Sequence, residues 1–160
     1  MPFFLQCEPA LATGRGEKIQ PLGVLNALRG AAFLLIHPGF GISTAWAYQQ
    51  LGRFPKALNG TPGRAQKLVQ LLQTGDLAQA GAEFYNSLEA PALEKYPLLL
   101  LFQDFLRENG AVATLMSGSG STTFAVTRDK PAAETLAERF QAKFGRSNWL
   151  AMAEAGGEIR

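Results

Sequence analysis

The sequence predicts an α+β protein, a ferredoxin-like split βαβ sandwich in which a four-stranded antiparallel sheet carries its helices on one face. Three observations carry this expectation. From residue 31 onward the periodicities run strand, several helices, strand, strand, helix, strand. Right-handed crossovers between such strands place the intervening helices on a common side. The 160 residues are 47% apolar and 18% charged, enough to enclose one core without disulfide or metal support.

The elements follow from local pattern. Residues 1–30 read as a glycine-punctuated lead-in, with a turn at Gly14-Arg15-Gly16-Glu17 and a short strand over Lys18–Leu22. Ala31–Ile36 is an unbroken apolar run of strand length, stopped by His37-Pro38-Gly39, as suits a strand covered on both faces. Ser43 can cap a helix over Thr44–Leu51 that ends at Gly52. Ala65, Leu68, Val69 and Leu72 recur at helical spacing before Thr74-Gly75. Two further helices are expected, one from Asp76 to about Leu88 and one from about Glu94 to Asn109, the latter with a possible break at Pro97. Ala111–Met116 and Thr122–Thr127 read as strands joined by a tight loop. Asp129 then caps a helix whose face is Ala133, Leu136, Ala137, Phe140 and Phe144, and Trp149–Ala153 forms the last strand.

Composition narrows the function classes. Fifteen basic and 13 acidic residues are mixed along the chain, so no basic cluster is dense enough to dock many phosphates of a polymer, and no nucleic acid is expected as partner. The longest apolar runs fall far short of the roughly 20 residues that span a bilayer, so no membrane association is expected. The opening Met1-Pro2-Phe3-Phe4 shows no basic leader, and a cytoplasmic location is the expectation. His37 has no second His or Cys to build a metal set and reads as structural. Glu83, Glu89, Asp104 and Glu108 read as solvated helix faces, and Cys7, lacking a Cys-x-x-Cys partner, as an inert thiol.

Two segments point to chemistry. In Met116-Ser117-Gly118-Ser119-Gly120-Ser121, glycines let backbone amides face one concavity and the serine hydroxyls add donors, a combination able to cradle an anion. The same residues also suit a plain hairpin turn, and no Gly-Lys-[Ser/Thr] follows as a Walker loop requires. His37-Pro38-Gly39-Phe40-Gly41-Ile42-Ser43-Thr44 runs into a helix N-terminus, where unpaired amides favour negative charge. Thr44 and Tyr48 share one face of that helix while Trp46 points nearly opposite. Tyr48 can be part of a site or simply a packed aromatic.

Taken together, Ala10-Leu11-Ala12-Thr13-Gly14-Arg15-Gly16-Glu17, Pro38-Gly39-Phe40-Gly41-Ile42-Ser43-Thr44 and Met116-Ser117-Gly118-Ser119-Gly120-Ser121-Thr122-Thr123-Phe124 resemble the C-terminal half of the GHMP small-molecule kinases. Asn86-Ser87-Leu88-Glu89 matches the Asn-x-x-Glu usually found between these segments. Within the superfamily the pattern is most similar to the diphosphocytidyl-methylerythritol kinases. The resemblance implies a lead-in over 1–30 left from an N-terminal half, and a substrate-binding domain of GHMP C-terminal type over 31–160. It also implies a cytidine-diphosphate-linked substrate whose 2-hydroxyl is phosphorylated in non-mevalonate isoprenoid synthesis. Thr44 would lie near that substrate, Tyr48 would stack on the cytosine, and Ser117, Gly118, Ser119, Gly120 and Ser121 would border the phosphates.

ATP and Mg2+ are the cofactors implied for the full-length enzyme, with none expected to bind tightly to these residues. The family's ATP loop and catalytic aspartate belong to an N-terminal half, and Pro2-Phe3-Phe4 resembles the end of that half's Asp-x-Pro-Phe-Phe segment. The expectation is therefore that the 160 residues need that half as a partner, contain no catalytic residue of their own, and are inactive as a kinase alone. Two alternatives stay open, another kinase of the superfamily (homoserine or mevalonate type) and a freestanding ferredoxin-like binding or dimerisation module. A severed kinase domain should expose Phe3-Phe4-Leu5, whereas a freestanding module should not.

Overall fold

A computed structural model describes residues 9–155. Cys7 and the Phe3-Phe4-Leu5 segment, on which two of the expectations bear, lie outside the described residues. The chain opens with a hairpin of β1 (Ala10–Thr13) and β2 (Lys18–Pro21), paired antiparallel with Thr13 opposite Lys18. Gly14 and Gly16 take positive φ in its turn, which is why glycine stands at both positions. The sequence signalled the turn and β2 but not β1, because Ala10-Leu11-Ala12-Thr13 is too short to show a period. A single 3-10 turn, Asn26–Leu28, leads into the main sheet.

The main sheet contains β3 (Ala32–His37), β4 (Ala113–Met116), β5 (Thr123–Thr127) and β6 (Trp149–Glu154), in the order β4-β5-β3-β6, with every pair antiparallel. This is the expected split βαβ order, and each strand lies within two residues of its predicted bounds. Between β3 and β4 run α1 (Thr44–Leu51), α2 (Pro55–Asn59), α3 (Arg64–Thr74), α4 (Leu77–Ala82), α5 (Glu89–Lys95) and α6 (Pro97–Glu108). The second crossover is α7 (Lys130–Phe144).

Caps predicted from residue type are in place. Ser43 accepts from the Trp46 amide at 3.3 Å and Asp129 from Ala132 at 2.8 Å; Asp76, not among the expected caps, accepts from Gln79 at 2.9 Å in the same way. The expected helix near 94–109 is two helices, because Pro97 has no N–H to continue the first and instead opens α6 at its N-terminus. The helix expected from Asp76 to about Leu88 stops at Ala82, leaving 83–88 as a connector. Helix α2 had no sequence signal, since five residues hold little more than one turn.

Alternation on β3 sorts the core. Ala32, Leu34 and Ile36 are buried on one face, where Leu34 and Ile36 meet Phe102 and Leu106 of α6, Leu136 and Phe140 of α7, and Ala125 of β5. Phe102 stands edge-on to Phe140 with centroids 4.8 Å apart, and Phe144 joins both. The expectation that all helices lie on one face holds for α6 and α7 but not for α4. Leu77 of α4, Phe84 and Leu28 pack with Phe33, Phe124 and Val126, residues of the opposite face. The long first insertion, with its six helices, supplies the chain that reaches this second face.

Replacing Phe102 by alanine is expected to cost about 3–5 kcal/mol, as for a large aromatic truncated inside a packed cluster. Leu98→Ala on the exposed side of the same helix should stay within about 0.5 kcal/mol. Urea unfolding of the two variants checks the contrast.

Candidate functional site

The sheet register brings the two chemically suggestive segments together. Ile36 near the end of β3 pairs with Thr123 at the start of β5, so the chain leaving β3 and the chain entering β5 run at the same edge. Their side chains touch. Thr44 Oγ1 and Ser119 Oγ lie 2.8 Å apart, and the Ser121 hydroxyl donates to the Phe40 carbonyl. His37 Nδ1 sits 3.4 Å from that same Ser121 hydroxyl, a position that suits the structural role expected of it.

The Ser117–Ser121 loop is a closed turn. The Ser117 amide donates to Thr122 O at 2.8 Å and the Gly120 amide to Ser117 O at 3.0 Å. Gly120 has φ +88°, and a Cβ there would fall 2.6 Å from Met116 Sδ and 2.9 Å from Ile42 Cδ1. The positive φ favours glycine there, and the Met116 and Ile42 side chains would have to shift to admit a Cβ. Ser117 and Gly118 are exposed, Ser119 is half-buried and Ser121 is buried, so the outer part of the loop is open to a ligand while its base belongs to the core.

Beneath the loop lies a polar network. The Asn86 side-chain amide donates to both Met116 O and Gly118 O, each at 2.8 Å, and its own Oδ1 accepts from the Leu88 amide at 3.0 Å. Glu89 Oε1 accepts from the Met116 amide and from Gln103 Nε2, both at 2.6 Å. Gln103 is 1% exposed and in turn accepts from Arg107 at 2.8 Å. Burial pushes the Glu89 carboxyl above its ordinary value, against the opposing pull of the Met116 amide, Gln103 and the Arg107 charge.

Tyr48, on the exposed side of α1, opens onto a cleft of about 380 Å³ that it shares with Tyr85, Asn86, Ser117, Gly118 and Phe124. Trp46 faces inward as expected, edge-on to Tyr96 at 6.2 Å. The structure thus gathers Thr44, Tyr48 and the Ser117–Ser121 loop in one place.

Two carboxylates depart from the expected solvated faces. Glu89 is tied into the network under the loop, because α5 starts there and turns its first side chain inward. Glu83 ion-pairs with Lys67 and, at 3.4 Å, with Arg64, its side chain only 17% exposed. The Lys67 hydrogen bond, above all, holds its carboxyl below the ordinary value. Asp104 and Glu108 do lie toward solvent. Sequence reasoning also passed over Tyr85 as a wall of the cleft; its hydroxyl donates to Ala57 O at 2.7 Å, a contact between distant segments that no local pattern announces.

Residues 68–146 match the family model described as GHMP kinases C terminal. The chain carries a GHMP kinase C-terminal domain. Curated relatives include the 4-diphosphocytidyl-2-C-methyl-D-erythritol kinase of Pelotomaculum thermopropionicum, 36% identical over 141 residues, covering 88% of this chain and 47% of that protein. That of Syntrophotalea carbinolica is 35% identical, covering 96% and 50%. The chain spans about half the length of the curated relatives it matches. A solved 4-(cytidine 5'-diphospho)-2C-methyl-D-erythritol kinase superposes with a TM-score of 0.68 at 27% identity, over 97% of this chain and 53% of that one. A homoserine kinase from Cytophaga hutchinsonii, with a TM-score of 0.72 at 20% identity over 90% and 47%, shares the fold.

Two outcomes follow for this domain. Because burial raises the Glu89 carboxyl, its contribution is fully present below the unfolded value near 4.5 and is lost as pH rises through the folded value. Glu89→Gln keeps the Oε1 acceptor and removes the charge, so its melting temperature relative to the parent should climb as pH rises above 4.5 and level off once Glu89 is ionised in the fold; a pH-independent difference contradicts this. Gly120→Ala should destabilise by on the order of 1–3 kcal/mol. Gly118→Ala, whose added Cβ meets nothing within 4 Å, should cost less, and thermal melts compare the two.

Proposed function

We propose that this GHMP domain forms the substrate-binding part of an ATP-dependent kinase that phosphorylates a cytidine-diphosphate-linked methylerythritol on its 2-hydroxyl. Tyr48 stacks on the cytosine, Thr44 lies beside the substrate, and Ser117–Ser121 borders the phosphates. The observation that carries this reading is the meeting of Thr44 with Ser119 at 2.8 Å beside a cleft walled by Tyr48, Ser117 and Gly118. An exposed ring at 63% next to neutral hydroxyl and amide donors suits a ligand with a flat base at one end and phosphate at the other. The names of the relatives supply the identity of that ligand.

The loop's donors fit phosphate oxygens. They do not fit Mg2+. Among the described residues no group of three acidic, His or Cys side chains converges, and the Glu89 oxygen beneath the loop already accepts two hydrogen bonds. Phosphoryl transfer depends on positioned phosphates and an oriented nucleophile. The part this domain plays is to hold the acceptor substrate, with ATP bound by the N-terminal half characteristic of the family.

Isothermal titration calorimetry with CDP checks this, and CDP should bind at up to millimolar concentration. Tyr48→Phe should retain binding and Tyr48→Ala should weaken it about tenfold or more, since base stacking is worth about 1–3 kcal/mol. No response to CDP, or equal binding by the alanine variant, would favour a superfamily member with a different substrate.

A further inference from the structure

We infer that Asn86, braced by Glu89, is a positioning residue that sets which backbone amides the Ser117–Ser121 loop turns toward a ligand phosphate. The inference rests on the functional reading of that loop and adds to it the device that shapes it.

Asn86 Nδ2 carries two hydrogens, and both are used within the loop, one on Met116 O and one on Gly118 O. In a trans peptide the C=O and N–H point in opposite directions. Drawing the Met116 carbonyl toward Asn86 therefore sends the Ser117 N–H away from it, and that N–H is found on Thr122 O. By the same geometry, drawing the Gly118 carbonyl toward Asn86 sends the Ser119 N–H to the opposite side. One side chain thus contacts two peptide planes: the Met116–Ser117 plane, also held through Thr122, and the Gly118–Ser119 plane, which follows a glycine and has more freedom to rotate.

Asn86 is itself held twice: its Oδ1 accepts from the Leu88 amide and its carbonyl accepts from the Glu89 amide at 3.1 Å. Glu89 in turn reaches past it to accept from the Met116 amide. Met116 is therefore gripped at its carbonyl by Asn86 and at its amide by Glu89. The spacing of three between Asn86 and Glu89 lets residues at the start of α5 hold both ends of one β4 residue. Neither side chain needs to touch a reacting group to act in this way.

The test uses the whole chain, with cytidine and CDP as probes. Asn86→Asp keeps the volume and the Oδ1 acceptor but removes both donors; Glu89→Ala removes the brace, and Glu89→Gln restores its acceptor. The parent should prefer CDP over cytidine by about tenfold or more. Asn86→Asp and Glu89→Ala should lose most of that preference, CDP affinity falling further than cytidine affinity, and Glu89→Gln should keep it. Hydrogen exchange at the Ser117 amide should quicken in Asn86→Asp, with Leu34 and Ala125 amides in the core as references for an intact fold.

Slow Ser117 exchange together with a parental CDP preference in Asn86→Asp would overturn the inference while leaving the functional reading standing. A parent chain with no preference for CDP would overturn the functional reading and the ligand role of Asn86 with it. In that case quickened Ser117 exchange would leave Asn86 as a fold element only.

Discussion

The antiparallel pairing of β3 with β5 is the constraint on which the site depends. Because Ile36 lies opposite Thr123, the segment that follows β3 and the segment that precedes β5 must emerge side by side. Neither loop needs its own device to find the other. The helix that begins at Thr44 and the turn at Ser119 come within hydrogen-bond distance because sheet register has already placed their anchors. A one-residue slip would also turn the buried Leu34 and Ile36 toward the other face. The packing of α6 and α7 against those side chains therefore secures the site as well as the core.

The electrostatic character of the site follows from what surrounds it. Its outer wall is neutral, made of serine and threonine hydroxyls, glycine backbone and a phenol, whereas the Glu89 carboxylate lies below the loop, engaged by an amide and by Gln103. A negative ligand therefore meets donors first and the acidic group only through the loop. Arg107, one hydrogen bond further back through Gln103, offsets part of the Glu89 charge. The arrangement puts exposed hydroxyls and the phenol on the outside and the support of the loop on the inside, on different residues.

Much of this was legible in the sequence wherever the signal is local. Ala31–Ile36 announces a buried strand because its apolar run is unbroken, and Ser43 and Asp129 announce helix starts because capping uses a side chain two or three residues from its partner. Resemblance singled out Thr44, Tyr48 and the serine-glycine loop, and the fold brings all three together. What escaped has a common cause. The inward turn of Glu89, the ion pairs of Glu83 and the place of Tyr85 on the cleft wall depend on contacts between segments far apart in the chain, and a helical wheel cannot distinguish such a carboxylate from a solvated one. The displacement of α4 to the second face has the same origin, since its Leu77 packs with residues of distant strands.

The position of β3 has a kinetic consequence. It is the first strand of the main sheet in sequence yet sits in its interior, and Ala32 finds its partners only at Thr127 and Glu154. Every helix of the long insertion, and the last strand as well, must therefore exist before the apolar segment Ala32–Ile36 is covered on both edges. A topology weighted toward such distant pairings folds slowly for its size. During synthesis that segment leaves the ribosome before β5 and β6 and is an unpaired apolar stretch until they follow. The same central placement that makes the finished sheet secure keeps this segment from being fully paired until the last strand is made.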